Sequence, residues 1–227
     1  MSRLRLCLVA GLVLGLALSL PAWAVEKTPD VIVEEASLVL KEMAASGRDK
    51  GFPVELIKGS AGVAIFPGMI KGGVIVGGAY GKGVILAHDK GQWNGPAFLE
   101  ISAGSIGLQV GVESMDLILV IKNERGLKSF LASKFKLGAD LGVAAGPVGA
   151  SATAATDAQL KAEIYTYSRS KGLYAGVSLE GAGISSLPTS NKEYYGDVSH
   201  TEEILAGQGK TPASGLKLIE ILKEMSK

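Results

Sequence analysis

Cysteine is almost missing from this chain: the only one, Cys7, stands in the first ten residues, and there are only two histidines, His88 and His200. Without a second thiol there is no internal disulfide and no Cys-based metal site, and two histidines far apart in sequence do not suggest a histidine metal centre. Charge of one sign is also lacking. Lys and Arg total 23 against 22 Asp and Glu, so the overall balance gives no electrostatic footprint for nucleic acid. Aromatic residues make up 6%.

What is abundant is glycine, 31 residues in 227, and the first segment has a different texture from the rest. Ser2-Arg3-Leu4-Arg5 is a basic lead, Leu6 to Leu20 is an apolar run, and Pro21-Ala22-Trp23-Ala24 supplies a helix breaker and an Ala-x-Ala site. This order predicts a secretory signal peptide over residues 1–24, cleaved after Ala24 and carrying Cys7 away with it. Cys7 stands at the start of the apolar run instead of closing it, which argues against lipidation. The expected location is periplasmic or secreted, with peripheral membrane association as a further possibility. The remaining chain is long enough for one domain with a proper core.

Three parts follow. Thr28-Pro29-Asp30 starts a helix, with Ile32, Ala36, Val39, Leu40 and Met43 on one face and Gly47 as its stop. Pro53 to Ile57 reads as another helical turn. From about residue 59 to 183 the glycines are interleaved with Val, Ile and Leu in strand-like alternation. Ile106, Leu108, Val110 and Val112 oppose Ser105, Gly107, Gln109 and Gly111; Leu137, Ala139, Leu141 and Val143 oppose Gly138, Asp140, Gly142 and Ala144; Leu173, Ala175, Val177 and Leu179 oppose Tyr174, Gly176 and Ser178. Leu117 to Ile121 is apolar throughout, as in a strand buried on both faces. Helix returns after Pro188, most clearly at Leu216, Ile219, Leu222 and Met225. The expected class is α+β: a glycine-rich, strongly curved, mostly antiparallel β-sheet or small barrel, with helices at the N- and C-terminal ends.

The densest glycine stretch, KGGVIVGGAYGKG at 71–83, invites a phosphate-loop reading and fails it. A Walker loop would need glycine at Val76 and a hydroxyl at Gly83. Gly209-Lys210-Thr211 likewise has Ile204 at the first glycine place. Because Val84-Ile85-Leu86 continues as strand, the dinucleotide fingerprint fails too. Glycine weakens a strand unless a neighbour must come very close or the chain must bend, and that is the reading adopted for 71–83.

No enzyme signature emerges. Gly176-Val177-Ser178-Leu179-Glu180-Gly181 has the wrong spacing for a nucleophile elbow, and Asp116, Asp140, Asp157 and Glu180 are scattered carboxylates with no pairing signal. Basic residues do cluster: Lys122, Arg125, Lys128, Lys134 and Lys136 face only Glu124 over residues 122–136. Arg169 and Lys171 lie between tyrosine-bearing strands, and Lys71 and Lys82 flank the glycine stretch. Such a group can attract anionic lipid headgroups with about 1 kcal/mol per basic residue near the surface. The candidate lipid-binding residues are therefore Lys71, Lys82, Arg125, Lys128, Lys134, Lys136, Arg169 and Lys171. Gln109, Asp140 and Ser178, central on small-residue strand faces, are candidate structural polar groups, either buried in an internal framework or lining a headgroup groove.

The chain resembles the SYLF domain family, also called the lipid-binding or Ysc-type actin-binding domain, in its bacterial secreted form. The resemblance runs from about residue 30 to 197. It is carried by Ala61-Gly62-Val63-Ala64-Ile65-Phe66-Pro67, Lys71 to Gly83, Trp93, Gly104 to Gln109, Asn123-Glu124-Arg125-Gly126, Leu137-Gly138-Ala139-Asp140 and Ala145 to Gly149. Tyr167-Ser168-Arg169-Ser170, Gly172 to Gly181 and Tyr194-Tyr195-Gly196 complete it. The resemblance implies a non-catalytic phospholipid-binding domain over 25–197, with 198–227 as a C-terminal helical extension. It implies binding through basic residues and an amphipathic first helix, with no cofactor. This first helix departs from that picture, because Asp30, Glu34, Glu35 and Glu42 outnumber Lys41. The expected partner is an anionic phospholipid or membrane surface, not nucleic acid. The alternative is a structural or scaffolding envelope module that meets an envelope protein.

Overall fold

The computed structural model describes residues 26–45, 54–73, 76–106, 111–132, 135–138, 142–146, 161–170, 173–176 and 181–227. Helix α1 is Pro29–Ala45 and α2 is Glu55–Lys58. Strands β1 (Gly62–Gly73), β2 (Val76–Asp89), β3 (Gln92–Ile106) and β4 (Gly111–Ile121) follow, then helix α3 (Glu124–Phe130). Short strands β5 (Phe135–Lys136) and β6 (Val143–Ala145) precede β7 (Ile164–Ser170), β8 (Leu173–Gly176) and β9 (Gly183–Ser186). Helices α4 (Pro188–Tyr195), α5 (Thr201–Leu205) and α6 (Ala213–Met225) close the chain.

Among the described residues nine strands share one sheet, in the order β5-β9-β3-β2-β1-β4-β7-β6, with β8 on β7. Every ladder is antiparallel except β6 on β7. The α+β expectation, a mostly antiparallel sheet with terminal helices, is met. Among the described residues no ladder joins β5 to β6. Successive hairpins build β1, β2 and β3, the second through a two-residue turn at Lys90 and Gly91, both with positive φ. β4 then lies on the far flank of β1.

Alternation along these strands produces two cores. Val63, Ile65, Val84, Leu86, Phe98, Ile118 and Val120 point to one face, which α1 and α6 cover with Ile32, Val33, Ala36, Val39, Leu40, Leu218 and Leu222. Ala64, Phe66, Ile85, Leu99, Leu117, Leu119 and Ile121 point to the other, against Phe130, Phe135, Ile184, Ile204 and Leu205. Leu117 to Ile121 is thus buried on both sides, as its unbroken apolarity suggested. Of the predicted stripe of α1, Ile32, Ala36, Val39 and Leu40 are buried, joined by Val33. On α6 the stripe is rotated: Leu218, Ile219 and Leu222 are buried, whereas Leu216 is exposed. The first layer is tied at several points. Ser214 Oγ donates to Asp30 Oδ1 at 2.7 Å and shares a 2.6 Å hydrogen bond with the Tyr194 hydroxyl, Trp93 Nε1 donates to Ser226 Oγ at 3.1 Å, and Lys58 Nζ donates to the Lys227 carbonyl at 2.7 Å. Buried Asn191 accepts from the Phe98 N–H at 2.7 Å and donates to the Ser199 carbonyl at 2.9 Å, fixing α4 to β3.

The glycine stretch at 71–83 is the end of β1 and the start of β2, and close approach explains it. A Cβ on Gly83 would lie 2.2 Å from the Ile65 carbonyl oxygen and 2.6 Å from a Phe66 ring carbon. Residues 74–75 fall outside the described residues, as do Gly47, Pro53, and parts of the alternating runs at 105–112, 137–144 and 173–179.

Candidate functional site

The basic residues chosen from the sequence do not form one surface. Arg125 and Lys128 stand on α3, on the side of the sheet away from α1, whereas Lys122 lies against Tyr165 of the α1-side core and Lys136 of β5 stands between Phe135 and Leu137 of the opposite core. Asn123 caps α3, its side-chain oxygen accepting from the Gly126 N–H at 2.7 Å. At the other end Phe130 and Phe135 hold α3 to β5 with ring centroids 5.3 Å apart. Between these anchors Arg125 and Lys128 are exposed, and so is Lys136 on β5. Arg125 Nε stands 3.4 Å from Glu163 Oε1, and Lys122 Nζ lies 4.9 Å from the centre of the Tyr165 ring. Residues Phe130, Leu131 and Ala132, continuing from the basic helix, wall a cavity of about 230 Å³ together with Leu99 and Ile184; Ser185, Ser186, Thr201 and Glu202 also line it.

Lys82 and Arg169 occupy the opposite face, beneath α1, and both are neutralised there by carboxylates. Lys82 Nζ meets Glu26 Oε1 at 2.6 Å. The hydrogen bond between them raises the Lys82 ammonium above its ordinary value and lowers the Glu26 carboxyl. Arg169 stands opposite Asp116 in the β4–β7 ladder; its Nε and Nη2 donate to Asp116 Oδ2 at 2.9 and 2.7 Å. Its Nη1 pairs with Glu42 of α1. Asp116 Oδ1 also accepts from the Gly68 N–H at 2.9 Å. Gly68 sits where β1 bulges between its ladders to β2 and β4, at φ +61°. Burial pushes the Asp116 carboxyl upward, and the Gly68 N–H opposes that shift. Lys27 and Glu35, 2.6 Å apart, join the same cavity of about 220 Å³.

Lys71 is half-buried on β1, opposite Glu113 of β4 and Ala79 of β2. Lys134, Lys171, Gln109, Asp140 and Ser178 lie outside the described residues. Sequence reasoning missed the Lys27, Glu35, Glu42, Asp116 and Arg169 cluster. One signal was available: Glu35 and Glu42 are seven residues apart on one side of α1. The register that brings Asp116 to Arg169 was not readable.

Across the described residues no helix is long and apolar enough to cross a membrane, and α1, the helix expected to meet lipid, has its apolar stripe inside the core.

Comparison with known proteins gives the lineage. The family described as Ysc84, Las17-binding protein actin regulator, matches residues 102–225. Protein YSC84 of Saccharomyces cerevisiae is 37% identical over 183 residues, which are 78% of this chain and 38% of the yeast protein. SH3 domain-containing YSC84-like protein 1 is 33% identical over 195 residues in Xenopus laevis, covering 83% of this chain and 58% of that protein. Its Homo sapiens counterpart is 31% identical over 195 residues, covering 83% and 57%. The chain therefore spans between 38% and 58% of the length of these relatives. With the family match covering more than half of the chain and these identities on either side of one third, the chain belongs to the Ysc84 (SYLF) family.

Proposed function

We propose that this chain is a non-catalytic domain that binds anionic phospholipid at a membrane surface, using Arg125, Lys128 and Lys136. The observation that carries the reading is the continuity of charge and apolar surface. Two exposed cations on α3 lead directly into the Phe130-Leu131-Ala132 wall of a cavity, an arrangement suited to a molecule with an anionic head and an apolar body. Lys82 and Arg169 are poorer candidates for the first contact, because their side chains are only 23% and 21% exposed, whereas Arg125 is 82% exposed even beside Glu163.

The variant Arg125→Gln, Lys128→Gln and Lys136→Gln is expected to lose about a hundredfold in affinity for vesicles of phosphatidylglycerol in phosphatidylcholine at low salt, each basic group being worth about 1 kcal/mol. Added salt weakens the unsubstituted protein in the same direction. Cosedimentation measures both, and undiminished binding by a folded variant removes the assignment. That result would favour the second reading, a scaffolding domain with a protein partner. The printed name of a relative, LAS seventeen-binding protein 3 of Saccharomyces cerevisiae, 36% identical over 183 residues, supports considering it.

Export belongs to the same proposal. The basic lead, apolar run and Ala22-x-Ala24 site of the sequence support a working protein that begins at Val25 in the envelope or outside the cell. Intact-mass measurement after expression in a secreting bacterial host is expected to give that terminus, and a mass retaining Met1 to Ala24 contradicts it.

A further inference from the structure

The cavity at the β1 bulge holds two cations and three carboxylates, and these carboxylates are not held alike. Asp116 is fixed by three hydrogen bonds, from the Gly68 N–H and from Arg169 Nε and Nη2. Glu35 and Glu42 come from α1, seven residues apart with Leu38 and Val39 between them, and each faces one cation. Glu42 pairs with Arg169 Nη1 while its side chain stays 53% exposed; Arg169 itself is only 21% exposed. That asymmetry matters. An exposed carboxylate gives up an ion pair at little cost because water replaces the partner, whereas a largely buried guanidinium requires an anion at all times.

We propose that this cavity is a phosphate-binding site, closed in the resting protein by the chain's own Glu35 and Glu42. A phosphate group enters by displacing Glu42 from Arg169 Nη1 and Glu35 from Lys27 Nζ. Asp116 stays in place and keeps the guanidinium oriented with that edge toward the ligand. Phosphate suits the exchange because it offers several acceptor oxygens to an arginine fork and a neighbouring ammonium. The bulge contributes too: at Gly68 no side chain intrudes, and a Cβ there would come within 3.3 Å of Lys27 Nζ. Nothing covalent changes; one phosphate group takes the place of two carboxylates. The proposal extends the anionic-ligand reading above but rests on different residues on the opposite face of the sheet. The ligand chemistry is shared by a phospholipid headgroup and a soluble phosphate ester.

The test uses the full chain with Glu35→Gln and Glu42→Gln together, leaving Arg125, Lys128 and Lys136 untouched. Removing the resident carboxylates is expected to tighten binding about fivefold, the scale of two partly exposed charge contacts. Two probes are read in parallel: glycerol 3-phosphate by calorimetry and phosphatidylglycerol vesicles by cosedimentation. A gain with both marks a site open to any phosphate ester, and a gain with vesicles alone marks one reserved for headgroups. Adding Arg169→Gln is expected to erase the gain, and Glu220→Gln with Glu224→Gln, the same charge change on exposed positions of α6, is expected not to reproduce it. The proposal is overturned if neither probe binds more tightly, if the gain survives loss of Arg169, or if the α6 control matches it. Because the α3 residues are intact throughout, a negative result here leaves the surface reading standing, and failure of the α3 variant leaves this result decisive.

Discussion

Removal of residues 213–227 is expected to unfold the protein, not to trim it. The segment carries Leu218, Ile219 and Leu222, buried to 8% exposure or less, and full burial of each such side chain contributes about 1.5–3 kcal/mol. Together they supply about 5–9 kcal/mol, set against a total stability of about 5–15 kcal/mol for a domain. The loss would also uncover the opposing stripe of α1 and strip Trp93, Asp30 and Lys58 of their hydrogen-bond partners. Circular dichroism and thermal melting of the truncated chain give the readout. A cooperative transition within a few degrees of the full chain would show that α6 is dispensable.

Gly83→Ala is expected to damage the sheet severely with a single added methyl group. The new Cβ would stand 2.2 Å from the Ile65 carbonyl oxygen and 2.9 Å from the Phe66 Cα, backbone atoms of the adjacent strand that cannot rotate away. β1 and β2 would have to separate at the centre of the molecule, where Val63, Ile65, Val84 and Leu86 are fully buried. Overpacking of this kind costs about 3 kcal/mol or more, the upper part of the usual range. Gly104→Ala supplies the comparison, because nothing lies within 4 Å of its added Cβ, and a surface change of that type stays within about 0.5 kcal/mol. Denaturant titration of the two variants should separate them clearly. Equal midpoints would mean that strand glycine, not proximity, sets the cost.

These two cases show where the sequence was legible. Glycine at 83 announced either close approach or a bend, and the structure shows close approach and which atoms come near. Leu117 to Ile121 announced a doubly covered strand through composition alone. On α1 the 3.6-residue period picked the buried stripe. On α6, however, Leu216 fitted the same period and is exposed, because Leu218 and Ile219 together shift the covered face by part of a turn. Pairings across the chain were beyond reach. Arg169 meets Asp116 through a strand register and Glu42 through the angle at which α1 crosses the sheet, and neither is written in local pattern. Two of the eight candidate lipid-binding residues, Lys82 and Arg169, turned out to be held by carboxylates for that reason. Lys82 and Arg169 look like their neighbours in sequence, but only topology tells which side of the sheet they occupy and which carboxylates wait there.

Helices α1 and α6 lie side by side, and their direction matters for how such a unit is joined to other sequence. Asp30 at the start of α1 meets Ser214 at the start of α6, and Lys41 and Glu224 near their far ends line one groove, so the two helices run the same way. Incoming chain therefore reaches the helical layer at one end and outgoing chain leaves it at the other, where Lys227 touches Lys58. Both junctions belong to the layer opposite α3. A fusion partner attached at either junction, whether a second domain or a fluorescent tag, would be carried on that side, like baggage on the back of the molecule, and the α3 side would still face outward.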